Sequence, residues 1–111
     1  MSSTKKPQKF KVIYLDDAKA ALRSIYKKHL ALVGVNSASN ITEKIQDKVE
    51  LLTDSPFMGS VPKQKALAAL ELRKLVCGVY ICFYRVNGDV VEIVDIVDGR
   101  TNYIKRFISR R

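Results

Sequence analysis

The chain contains no tryptophan, one histidine and two cysteines among its 111 residues. His29, Cys77 and Cys82 form no CxxC pair and no His/Cys cluster, so no metal and no cofactor is expected, nor a disulfide framework. Cys77 and Cys82 lie five apart in an apolar stretch and read as buried, reduced thiols. His29 falls beside Lys27 and Lys28 in a helical pattern, and neither a catalytic nor a ligand role is expected of it. Glycine (5) and proline (3) are also sparse, and the chain shows no low-complexity linker and no internal repeat. No apolar run approaches the ~20 residues that span a bilayer. The start, Met1 to Lys6, leads into no hydrophobic segment, so a secretory signal is not expected either. An apolar share of 47% is too high for disorder. These exclusions leave a soluble, cytoplasmic chain with residues 1–111 forming a single domain.

Acidic residues are missing from both ends. Residues 1–11 hold Lys5, Lys6, Lys9 and Lys11 and no acid; residues 100–111 hold Arg100, Lys105, Arg106, Arg110 and Arg111 and no acid. These nine cations carry the whole net charge of +9, because residues 12–99 are balanced. Basic tails of this kind attract phosphate or an acidic protein through a salt-screened field. They also aid solubility with no partner at all.

Phe10 to Leu15 reads as a first strand, rich in β-branched and aromatic residues. Asp16-Asp17 offers a helix N-cap, and Ala18, Ala21, Leu22, Ile25, Tyr26, Leu30 and Val33 then form one apolar stripe that Gly34 ends. A second helix is expected from a cap in Asn36–Asn40, Asn40 with Glu43 resembling a capping box, and its stripe is Ile41, Ile45, Val49 and Leu52. A connection of two or three residues implies an antiparallel helical hairpin. Pro56 to Pro62 is a loop, and a strand is expected from about Leu70. Val79–Val86 and Val90–Val97 form a β-hairpin about an Asn87-Gly88 turn. That turn would set Tyr84 opposite Val91 and Tyr80 opposite Asp95. Tyr80, Cys82 and Tyr84 would then share a face with Val91, Ile93, Asp95 and Val97. Helices can cover only one sheet face, and the other is too apolar to stand bare; the chain's own end, a second copy or a partner would cover it.

In this order the pieces resemble the RelE/ParE superfamily of toxins of type II toxin–antitoxin systems, a group that includes plasmid stabilisation proteins. The resemblance spans about residues 9–107. It is carried by Ala18 to Tyr26, the P-x-x-G loop Pro56–Gly59, Leu72-Arg73, the segment Tyr80–Arg85 (YICFYR, where the family often has YRIFYR) and Gly99-Arg100-Thr101-Asn102-Tyr103, similar to the family's G-R-x-x-Y close. Each piece is short; their joint order is the specific signal.

The resemblance implies an α+β fold, with an N-terminal strand and an antiparallel helical hairpin packed on a twisted, mainly antiparallel sheet. It implies a cognate antitoxin encoded nearby, acidic where it touches the toxin, and a hetero-oligomer with it. From the strand pairing, and not from the resemblance, an apolar sheet face bearing Tyr80, Tyr84, Val91 and Ile93 is the expected docking place. RelE-like members cleave mRNA on the ribosome with cationic side chains and sometimes a tyrosine, which would cast Arg73, Arg100 and Tyr103 as catalytic, with Lys74 and Lys105 nearby. ParE-like members poison DNA gyrase, and in them the C-terminal segment matters; here that points to Arg100, Lys105, Arg106, Arg110 and Arg111 as target-binding. Where the RelE pattern has lysines this chain has Ala69 and Glu71, and where it has the arginine of the YR pair this chain has Ile81. The gyrase poison is therefore favoured over the ribonuclease, with a non-toxic basic binding module as a third reading. Removing residues 104–111 is expected to abolish toxicity while leaving the fold.

Overall fold

The computed structural model describes residues 9–108. Strand β1 (Lys11–Tyr14) leads into helix α1 (Asp16–Leu32), helix α2 (Val35–Glu50) and a 3-10 turn, Leu51–Thr53. After the proline loop come a one-turn helix α3 (Lys65–Ala68), strands β2 (Arg73–Cys77), β3 (Tyr80–Asn87) and β4 (Val90–Asp98), and a short helix α4 (Ile104–Ile108). The sheet order is β1-β4-β3-β2, with β1 parallel to β4 and the other pairs antiparallel. The expected α+β architecture is the one observed.

The helix starts differ from their sequence signals. Asp16 and Asp17 are not caps but first-turn residues of α1, where their charge favours the helix dipole, and Leu15 occupies the cap position without a side-chain bond. Helix α2 begins at Val35, so the Asn36–Asn40 segment lies inside it. The reason is Gly34: at φ +126° it turns the chain at once, and its carbonyl accepts from the Ala38 amide. A two-residue link, Val33-Gly34, thus joins the helices, as a tight hairpin requires. The strand expected from Leu70 starts at Arg73 instead, because Leu67 and Ala68 carbonyls hold Leu70 and Glu71 in a turn, with Glu71 at φ +61°.

The β3–β4 register also departs from the simple turn. Asn87 pairs with Val90, so Gly88-Asp89 is the loop, Tyr84 faces Ile93 and Arg85 faces Glu92. Between Ile93 and Asp95 the partner on β3 advances only from Tyr84 to Phe83, leaving Val94 as a bulge and Tyr80 opposite Asp98. Beyond the bulge the alternation is reversed. Ile96 joins the hairpin side of the sheet, while Val97 and Asp95 turn to the other side.

Both faces are consequently covered. Ala18, Ile25, Ile45 and Val49 of the hairpin, with Leu52 of the 3-10 turn, pack on Leu75, Tyr80, Cys82, Tyr84, Val91, Ile93 and Ile96. On the opposite face Leu67, Leu72, Phe83, Val97 and Phe107 form a second core, with Tyr103 and Ile104 against it. The chain's own end is what covers the second face. Tyr80, Tyr84, Val91 and Ile93 lie under the hairpin with at most 4% exposure. The expectation that they form an open docking face is therefore corrected: these are the apolar sheet positions that the helical stripe buries.

Candidate functional site: the basic C-terminal turn and its cleft

Strand β4 ends at Asp98, and the chain turns through Gly99-Arg100-Thr101. Asp98 organises this turn. Its carboxylate accepts from the Arg100 amide (2.9 Å), Nε (3.0 Å) and Nη2 (2.8 Å), while its carbonyl accepts from the Thr101 hydroxyl (2.7 Å) and amide. The Arg100 guanidinium holds the Asp98 carboxyl well below the usual carboxylate range, and Asp98 in turn raises the Arg100 pKa. The Gly99 amide donates to the Val79 carbonyl at 2.7 Å, tying the turn to the β2–β3 hairpin. Arg100 itself remains 68% exposed.

Beside this turn, an open cleft of about 470 Å³ runs between α1 and the end of β4. Asp17, Ser24 and Lys28 of α1 line it, facing Tyr80, Asp98, Thr101 and Arg106. Lys28 adds to the positive field at Asp98. The His29 Nε2 lies 3.0 Å from the Tyr80 hydroxyl and links α1 to the sheet. Burial raises the Tyr80 pKa. Lys28 and Asp17 carry no signal in the sequence because they sit on an ordinary mixed-charge helix face; the small residues Ala20, Ala21 and Ser24 between them are the available hint.

The basic residues singled out in the sequence meet different fates. Arg100 presents its charge beside the cleft, and Lys105 is exposed on α4. Arg106 is structural: its guanidinium bonds both oxygens of Asp95, whose side chain is completely buried, at 2.9–3.2 Å. Asp95 also accepts from the Ile96 amide at 2.8 Å, so the bulge and the ion pair together anchor α4. Arg110 and Arg111 lie outside the described residues. Arg73 donates to the Gly59 carbonyl (2.8 Å) and the Phe57 carbonyl (3.3 Å) and lies 5.1 Å from the Phe57 ring centre. It therefore holds the P-x-x-G loop. Tyr103 packs on Phe83 with ring centres 5.4 Å apart. Arg85 bonds Glu92 directly across the hairpin at 2.7 Å.

Arg73, Arg100 and Tyr103 do not converge. Arg73 is opposite Tyr84, and Asp98, which carries Arg100, is opposite Tyr80. Four positions along β3 separate them, about 13 Å at ~3.3 Å per residue. Among the described residues no group of three or more His, Cys, Asp or Glu side chains could hold a metal ion. No helix among them is long and apolar enough to cross a membrane.

Two solved structures are similar to this chain in fold. A chain from the chromosomal ParDE toxin–antitoxin system of P. aeruginosa is similar over 83% of this chain and 98% of that one, with a TM-score of 0.70 and 20% identity. A chain from the toxin–antitoxin complex RelBE2 of Mycobacterium tuberculosis is similar over 81% and 98%, with a TM-score of 0.55 and 16% identity. No curated protein matches the chain significantly. At these identities the two structures speak for the fold. The family is shown by the model for the ParE toxin of type II toxin–antitoxin systems (parDE), which matches residues 12–103. The helical hairpin, the β3–β4 bulge and the Arg100 turn all fall within that match, and the chain belongs to the ParE toxin family of type II toxin–antitoxin systems.

Proposed function

We propose that this toxin is silenced by a cognate antitoxin and acts in the cytoplasm as a poison of DNA gyrase. The dispersal of its cations carries the choice of gyrase over mRNA. A phosphodiester transition state needs several positive groups converging on one phosphate. Here Arg73 is bound to the P-x-x-G loop, Arg100 to Asp98 and Arg106 to Asp95. The positions that would complete a ribonuclease set hold Glu71, in a left-handed turn, and Ile81, packed in the second core. A poison that works by binding needs no converging set; among the described residues Arg100 and Lys105 are exposed cations that could serve it. An antitoxin partner is supported by the family and by the two complexes from which the similar structures come.

The test uses two assays side by side. Purified chain is added to gyrase with relaxed plasmid, and separately to a translating extract with a defined mRNA. Loss of supercoiling with accumulation of cleaved plasmid, and intact mRNA, is the expected result. Codon-spaced mRNA cuts with normal supercoiling would replace this reading with the ribonuclease. Inactivity in both, with no growth arrest on induction, would leave a basic binding module.

A further inference from the structure

The two cysteines take no part in the basic surface, yet the fold sets them side by side. Cys77 ends β2 and pairs with Tyr80; Cys82 lies on β3 opposite Leu75. The two are thus diagonal neighbours on the same sheet face, where long or polarisable side chains reach one another. Their Sγ atoms are 3.8 Å apart, and both thiols are free. Cys82 is fully buried, whereas Cys77 keeps 8% exposure. Cys77 also sits at the mouth of the Gly78-Val79 turn, in a strand whose outer edge is bridged at Lys74 by Ser60. The hairpin end, with Val76 and Val79 exposed, projects past that bridge.

We propose that Cys77 and Cys82 are a hydroperoxide-responsive thiol pair that closes to an intramolecular disulfide in the folded toxin. The Cys77 thiolate attacks one peroxide oxygen, the O–O bond breaks, and Cys77 becomes a sulfenic acid while water or an alcohol leaves. The Cys82 sulfur then attacks the Cys77 sulfur, the S–O bond breaks, and water leaves with the Cys82 proton. In sum two thiols and one hydroperoxide give one disulfide and two molecules of water, or of water and alcohol. The roles follow from position: both thiols are buried, but Cys77 keeps 8% exposure at the strand end where Cys82 keeps none, and Cys82 is the sulfur in contact with it. The contact between the two thiols lowers the Cys77 pKa and raises that of Cys82, in keeping with attacker and resolver respectively. Bond formation at ~2.05 Å asks the sulfurs to approach by about 1.8 Å, a closure that side-chain rotation and the hairpin end can share. The same hairpin holds the Arg100 turn through the Val79 carbonyl, so oxidation acts on the support of the basic surface whichever target that surface meets.

Trypsin cutting after Lys74 and Arg85 releases one peptide, Leu75–Arg85, that carries both cysteines. Folded full-length chain is treated with dilute hydrogen peroxide, alkylated under denaturing conditions and digested. The expected peptide is lighter than the reduced one by two hydrogens and unalkylated, and dithiothreitol restores two alkylated cysteines. Cys77→Ser should slow peroxide consumption of thiol several-fold, while Cys82→Ser should leave a sulfenic acid that dimedone traps at Cys77. Two alkylated cysteines after peroxide, independent sulfinic acids, or a disulfide joining two chains would each overturn the proposal. The wild-type peptide alone distinguishes these outcomes, even where a serine variant fails to fold.

Discussion

Gly59 shows how one residue can fix a loop. A Cβ there would stand 2.6 Å from the Tyr84 hydroxyl and 2.7 Å from the Lys74 carbonyl, so the loop approaches the sheet only because the side chain is missing. The Gly59 amide donates to that hydroxyl at 2.9 Å in a buried setting. Tyr84→Phe strands the amide and should lower stability by about 1–3 kcal/mol, measured by urea unfolding. Gly59→Ala should cost at least as much, roughly 1–3 kcal/mol from overpacking, and an unchanged midpoint would show that the loop gives way freely. Asp98 offers a pH test. Its carboxyl is depressed in the fold by Arg100, so the stability linked to it is present above the unfolded pKa of about 3.9 and is lost as pH falls through the lower folded value. An NMR titration should place its midpoint below the ordinary range, and Arg100→Ala should raise it only part of the way back, because the backbone amide at position 100 still donates to the carboxylate.

At the scale of elements, the decisive piece is α4. Five residues are too few to be a stable helix alone, and it persists because Phe107 enters the second core and Arg106 pairs with buried Asp95. Deleting residues 104–111 therefore does not leave the fold untouched, as the basic character of the segment suggested. Loss of Phe107 alone should cost about 3–5 kcal/mol, and the truncated chain should melt well below the intact one. Arg106→Ala leaves a buried carboxylate without its guanidinium and should cost about 2–3 kcal/mol, less than for a fully enclosed pair because Arg106 is half exposed. Lys105→Ala, at an exposed position, should lower the melting temperature less than Arg106→Ala does; combined with Arg100→Ala it should weaken inhibition of supercoiling. A double variant that melts normally and poisons fully would remove the C-terminal surface from the mechanism.

Over the whole molecule, the net charge of +9 resides in the two ends, flanking a balanced body. Attraction of such ends for an acidic antitoxin is screened over ~10 Å at 0.1 M salt. Affinity for the proposed antitoxin, measured by calorimetry, should fall several-fold from low to high salt, mainly through slower association. Salt-independent binding would place the interface on the apolar parts of the surface instead, such as Leu32, Val33 and Val35 at the hairpin tip.

What could be read from residues alone was whatever depends on neighbours in the chain. The helical stripes, the punctuation at Gly34 and Pro56, the strong β3–β4 pattern and the segregation of charge are all local, and together with the motif order they were enough for the α+β fold and the family. Helix α2 starts ahead of its polar signals because Gly34 at positive φ turns the chain before they are reached. The faces on which the β4 side chains lie depart from the local pattern for a different reason. A single unpaired residue, Val94, reverses the faces of β4, and no local pattern announces a bulge whose benefit is an ion pair eleven residues away. That reversal sends Asp95 to Arg106 and lays α4 over the second face. Tyr80 and Tyr84 end under the helices because the hairpin stripe matches their side of the sheet. Which cations are anchors and which remain exposed is set by contacts between distant segments, and those exist only once the sheet has closed.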